Sequence, residues 1–188
     1  DEALVQALST QLSSTPADQV VVLHQLGNHG PSYYQRYPTA YEHFVPACEN
    51  ADLAKCTREA ITNSYDNAIL YTDNVLDQVI DTLEREHDYA TAMVYLSDHG
   101  ESLGEKGLYL HGIPYAIAPN EQTHVPMIWW LSTSFSQQQR LDTECLHRRA
   151  NQAASHDNLF HSVLGLLGVV TDVYQQEADI SQACRFAK

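Results

Sequence analysis

Ala92-Met93-Val94-Tyr95-Leu96-Ser97-Asp98-His99-Gly100-Glu101-Ser102-Leu103-Gly104-Glu105 is followed, after Lys106-Gly107-Leu108-Tyr109-Leu110, by His111-Gly112, and this stretch sets the fold class of the chain. Its first five residues are an unbroken apolar run that reads as a buried strand. Asp98 and His99 then emerge at the strand's C-terminal end, where open α/β sheets place their ligand sites. A carboxylate beside an imidazole offers a hard oxygen and a borderline nitrogen, a donor pair suited to zinc or manganese.

A second stretch has the same build. Gln19-Val20-Val21-Val22-Leu23-His24-Gln25-Leu26 reads as a strand buried on both faces, broken by Gly27-Asn28-His29-Gly30-Pro31. His29 thus also follows a strand end, whereas His24 lies within the strand and reads as structural. Between the two strands, Thr57 to Glu86 carries the apolar stripe Ile61, Tyr65, Ala68, Ile69, Thr72, Val75, Leu76, Val79, Ile80 and Leu83, with Thr57 as its N-cap. Asp66, Asp73, Asp77 and Asp81 fall largely off the stripe and read as a solvated face. Strand, helix and strand in this order imply neighbouring parallel strands joined by a crossover.

The remaining segments frame this unit. Residues 2 to 13 show helical spacing and stop before Ser13-Ser14-Thr15-Pro16, and Ser32 to Cys56 is a Tyr- and Pro-rich excursion without periodicity. Val125 to Leu131 reads as a third strand near an edge because of Pro126. His124 precedes it, at the end opposite the other ligand candidates. Phe135 to Arg149 and His156 to Leu167 are helix candidates, with Asp157 and Asn158 placed to cap the second.

Composition narrows the function classes. The chain has 188 residues, 44% of them hydrophobic, which suits one globular domain with a sizeable core. Ten Lys plus Arg against 24 Asp plus Glu leave a net charge of −14, a field that repels nucleic acid and anionic membrane surfaces. The longest nearly apolar stretch, Val163 to Val170, is far short of the roughly 20 residues needed to span a bilayer. Asp1-Glu2-Ala3-Leu4 has neither a Met nor a targeting pattern and reads as the middle of a longer protein. Four cysteines without a CxxC pair, Cys48, Cys56, Cys145 and Cys184, are compatible with disulfides of an oxidising compartment or with four core thiols. A Cys48–Cys56 bridge would tie down the excursion, and Cys184 could be pinned back to Cys145.

A lone Asp-His pair carries little weight. Here it is joined by His111 in the same loop and by His29 at another strand end, so three imidazoles and a carboxylate can meet in one cleft. The alternative is a hydrogen-bonded loop in which Asp98 caps backbone amides and the histidines lie apart on the surface. Glu101 and Glu105 read equally well as loop charges.

The runs Tyr95 to Glu105, Tyr109 to Gly112 and His24 to Pro31 together resemble the C-terminal signature of the lipid A phosphoethanolamine transferases. This group includes the colistin-resistance enzymes and lies within the alkaline phosphatase and sulfatase superfamily. The resemblance covers most of the chain and rests on three segments that agree in order and spacing. It implies part of a three-layer αβα sandwich of the alkaline phosphatase-like type with a mostly parallel sheet. It also implies a zinc enzyme on the periplasmic face of the bacterial inner membrane, anchored by helices lying outside this sequence. Such an enzyme transfers phosphoethanolamine from phosphatidylethanolamine to lipid A.

Carried over by residue, Asp98 and His99 match zinc ligands. His29 and His111 match histidines that bind the phosphoethanolamine group or a second zinc. Cys48 and Cys56 match a family disulfide, while the resemblance leaves the pairing of Cys145 with Cys184 open. The family's threonine nucleophile and a glutamate ligand precede the matched region, and none of the threonines between Asp1 and Lys188 fits that role. Residues 1–188 are therefore expected to be the C-terminal portion of one catalytic domain, inactive alone and weak in zinc retention. An apolar sheet face or edge should remain for the missing half or for self-association. The rival readings are another phosphoryl or sulfuryl transferase of the superfamily, such as a phosphoglycerol transferase or a sulfatase, and a non-catalytic metal- or lipid-binding module.

Overall fold

A computed structural model describes residues 1–14 and 17–186. They form two compact units, one of Asp1–Arg85 with Tyr95–Met127 and the other of Glu86–Val94 with Ile128–Lys188.

The first unit is built on its longest helix. Helix α1 (Glu2–Ser14) places Leu8 and Leu12 in the interior and packs on α2 (Arg58–Glu84). The Thr15-Pro16 stop expected for α1 lies outside the described residues. Thr57 caps α2 by accepting a hydrogen bond from Ala60 N, as its position before the apolar stripe requires. The stripe buries Ile61, Ala68, Thr72, Val75, Val79 and Leu83, while Ile69 faces solvent. Ile61 and Ala60 pack with Tyr33 and Cys48, and two turns further along Ala68, Tyr71 and Val75 pack with Tyr37.

The Tyr- and Pro-rich excursion is ordered by polar groups of α2. Asn67, fully buried, accepts from His43 N and Phe44 N at 2.8 Å each and donates to Phe44 O at 2.9 Å. Ser64 Oγ accepts from Cys48 N at 2.7 Å and donates to Cys48 O at 3.1 Å. Cys48 and Cys56 are joined by a disulfide across a sequence separation of 8. A segment without periodicity becomes rigid here because α2 satisfies its backbone groups.

Two expectations about strands are corrected. Residues 19–26 belong to no strand among the described residues, and Val20 and Val22 are 63% and 84% exposed. An apolar run becomes a strand only when a neighbour supplies ladder hydrogen bonds, and none of the strands formed pairs with it. The sheet is also not parallel among the described residues. The neighbours β1 (Ala92–Leu96) and β4 (Met127–Leu131) are flanked by the bonds Ser97 N to Pro126 O and Ser132 N to Thr91 O, so they run antiparallel. Strand β4 starts two residues later than the apolar run because Pro126 has no N–H to give. The Ser97–Gly112 stretch contains a small antiparallel hairpin, β2 (Ser102–Leu103) with β3 (Tyr109–Leu110), pairing Ser102 with Leu110. Helix α3 (Asn120–Thr123) follows in the same unit.

In the second unit the single helix expected over 135–149 is two. Helix α4 (Thr133–Gln138), capped by Ser132, and α5 (Thr143–Arg149), capped by Asp142, are separated by Arg140 at φ 55°. Cys145 on α5 is joined to Cys184. At the start of helix α6 (Asp157–Leu166), Ser155 Oγ accepts from Asp157 N at 3.3 Å and Asn158 Oδ1 accepts from Ser155 N at 2.8 Å. No helix among the described residues is long and apolar enough to cross a membrane.

Candidate metal centre

Three loops of the first unit bring His29, His99 and His111 together, with one ligand atom from each within 4.8 Å of the others. His29 and His111 are exposed and His99 is half-buried. The rings of His99 and His111 stack at 3.9 Å, and His29 meets them edge-on at 5.8 Å and 4.9 Å.

Each loop is held from below. Asn28 Oδ1 accepts from Thr72 Oγ1 of α2 at 2.6 Å, and Arg36 Nε donates to His29 O at 2.7 Å. The His99 loop is fixed by Ser97 Oγ donating to His99 O at 2.7 Å and by Gly100 N donating to Gln122 O at 3.0 Å. Gly100 is obligatory, because a Cβ there would run into the carbonyl oxygen of Glu121. Leu110, just before His111, takes the left-handed conformation at φ 63°, which an aliphatic side chain adopts only under constraint from its surroundings. Gln122 braces both sides of the hairpin, donating to Ser102 Oγ at 2.9 Å and accepting from Ile113 N at 3.4 Å.

In all three imidazoles Nδ1 faces an acceptor. That of His29 lies 2.7 Å from Gly30 O, that of His99 3.1 Å from Gly100 O, and that of His111 3.0 Å from Glu101 Oε1. The network therefore assigns the proton of each neutral ring to Nδ1, which leaves the lone pair on Nε2. Metal-binding histidines have this arrangement, with the far nitrogen anchored to a carbonyl or carboxylate. Three histidines form a recurrent zinc set, so the donors present suit that ion.

Of the four residues singled out in the sequence, three converge. The fourth, Asp98, has an 84% exposed side chain; its Oδ1 accepts from its neighbour's amide, His99 N, at 3.0 Å and lies 3.9 Å from His99 Nε2. Sequence reasoning missed Glu101. Far from a loop charge, its carboxylate is 4% exposed and accepts from Gly30 N at 3.2 Å, Tyr33 Oη at 3.0 Å and His111 Nδ1. Burial first, and then the negative charge and hydrogen bond of Glu101, push the Tyr33 hydroxyl far above the ordinary tyrosine range. The one available signal was position: Glu101 follows the Asp-His pair by two residues, on the way into a hairpin whose first residue, Ser102, is fully buried. His124 is exposed and is not part of the cluster.

The chain has relatives among known proteins. The chain is 47% identical over 187 residues to the phosphoethanolamine transferase EptA of Escherichia coli K12, covering 98% of this chain and 34% of that protein. It is 41% identical over 156 residues to the phosphatidylethanolamine transferase Mcr-1 of Escherichia coli, covering 82% of this chain and 27% of that protein. The chain thus spans about a third of the length of these curated relatives. The crystal structure of the soluble domain of lipooligosaccharide phosphoethanolamine transferase A from Neisseria meningitidis superposes with a TM-score of 0.96. It is 44% identical, and the match covers all of this chain and 57% of that one. The sequence pattern of the sulfatases matches residues 1–169, most of the chain, and the chain belongs to the sulfatase family.

Proposed function

We propose that residues 1–188 form the metal-bearing portion of a zinc-dependent phosphoethanolamine transferase. Its donor would be phosphatidylethanolamine, its acceptor lipid A, and its place the periplasmic face of a bacterial inner membrane. The observation that carries this reading is the gathering of three imidazoles, with one ring nitrogen of each within 4.8 Å of the others, in a chain so similar to enzymes of that name. In this reading Asp98 and His99 hold a zinc ion, and His29 and His111 face the same spot. The tautomers favour a metal over a bare phosphate at the latter two. A neutral imidazole with its proton on Nδ1 offers Nε2 as a lone pair and not as a donor.

Bound zinc would neutralise charge on the transferring phosphoryl group and acidify a coordinated hydroxyl. This chain's own part is to hold the three imidazoles in one tautomer and to keep the loops that carry them apart by a fixed distance. The hydroxyl that attacks phosphorus, displacing the diacylglycerol oxygen, is assigned to a threonine outside residues 1–188. The parent domain would be a three-layer αβα sandwich in which residues 19–26 gain sheet partners. Their exposed valines, outside every strand among the described residues, support that placement.

The test is mass analysis of lipid A from cells expressing the longer protein with and without His99→Ala. The expected result is a phosphoethanolamine increment with the parent sequence and its loss in the variant. Unmodified lipid A with the parent, or an unchanged increment in the variant, contradicts the proposal.

A further inference from the structure

We infer that Glu101 is a positioning residue for the metal centre: it holds His111 in the ligand tautomer and joins the His29 loop to the His111 loop. The inference rests on the metal reading above and extends it to a residue outside the ligand set. A carboxylate at 4% exposure must be compensated by donors, and Glu101 has three of them from two segments. Tyr33 Oη, itself at a site 1% exposed, donates to Oε2, while Gly30 N and His111 Nδ1 share Oε1.

That shared oxygen is the joint. Gly30 follows His29 directly, so one carboxylate oxygen fixes the backbone beside the first histidine and the ring of the third, whose centroids lie 4.9 Å apart. There is no slack around it, since a Cβ on Gly30 would lie 2.6 Å from Leu110 Cδ2 and 2.7 Å from Tyr33 Oη. Among the three imidazoles only that of His111 has a carboxylate behind it, where the other two have the carbonyl of the following residue. A carboxylate holds the proton on Nδ1 more firmly and makes Nε2 a stronger donor to a metal. A merely structural anchor would need the three hydrogen bonds but not the charge.

Glu101→Gln separates the two roles. The amide oxygen can keep Gly30 N and His111 Nδ1, and its NH2 can donate to Tyr33 Oη, so shape is retained and charge removed. Long-range proton–nitrogen NMR of the metal-free chain reads the tautomers, and titration with zinc chloride reads affinity. The expected results are a wild-type His111 protonated on Nδ1, a measurable second tautomer in Glu101→Gln, and zinc affinity at least about tenfold lower in that variant. A wild-type His111 protonated on Nε2 overturns the inference whether or not the variant folds. So does a folded Glu101→Gln with wild-type tautomer and affinity. His99→Ala titrated alongside tests the metal reading by itself: zinc bound equally by His99→Ala and wild type removes that reading, while the metal-free His111 tautomer still decides the role of Glu101.

Discussion

His99 and His111 stack face to face, ring centroids 3.9 Å apart and planes 29° from parallel, although they come from loops on opposite sides of a hairpin. The pair holds two of three nitrogen donors side by side. Replacing His111 by Ala removes one donor and frees the other ring. Zinc affinity should fall at least about tenfold, and unfolding free energy should fall by about 1–3 kcal/mol because the buried Glu101 carboxylate loses one of its donors. Zinc calorimetry and urea unfolding on the same variant check both halves.

Gly100→Ala should act on the site from behind. The added methyl group meets the carbonyl of Glu121, a backbone atom that cannot rotate away, and Gly100 N is already committed to Gln122 O at 3.0 Å. The loop carrying His99 must shift. We expect a loss of about 1–3 kcal/mol, the usual cost of overpacking, and displaced resonances for His99 with α2 unaffected. Chemical denaturation and NMR shift mapping measure these effects.

The two disulfides should differ in worth because they close loops of different length. Opening Cys48–Cys56, with a separation of 8, should cost about 2.5 kcal/mol, and opening Cys145–Cys184, with a separation of 39, about 4 kcal/mol on the chain-entropy estimate. Paired Cys→Ala variants in urea would show the order, each read by a probe in its own unit.

Stability should decline at both ends of the pH scale for two identified reasons. The Tyr33 hydroxyl is raised in the folded chain by burial and by Glu101, so its contribution is complete below the ordinary value of 10.0 and is lost as pH rises beyond it. At Glu105, burial pushes the carboxyl upward. It is outweighed by the backbone N–H groups of Glu105 and Leu103 and by the Arg58 guanidinium 2.8 Å away, which together hold it below 4.5. That contribution is complete above 4.5 and is lost as pH falls through the lowered value. Urea midpoints across pH should show a plateau between these limits, and Tyr33→Phe should remove part of the alkaline decline.

The site was more legible in the sequence than the sheet around it. His29, His99 and His111 could be placed at segment ends because the glycines beside them mark where regular structure stops, and the structure brings all three together. The α2 stripe was legible because periodicity and an N-cap coincide at Thr57. Residues 19–26 were read as a strand on side-chain pattern, but a strand depends on partners that a local pattern does not contain. The break at Arg140 was hidden because the polar run 135–149 has no apolar stripe to interrupt. Glu101 was hidden for a different reason. Its role depends on Gly30 and Tyr33, about 70 residues earlier, and nothing next to it in sequence announces its burial.

The most direct test of the metal centre is an anomalous-difference map from crystals of the chain soaked in zinc chloride, recorded above the zinc absorption edge. The expected result is a peak about 2.0–2.1 Å from Nε2 atoms of the clustered histidines, with every Nδ1 still on its carbonyl or carboxylate. A map with no peak among His29, His99 and His111, or with zinc bound through Nδ1 and Glu101 displaced, would contradict it.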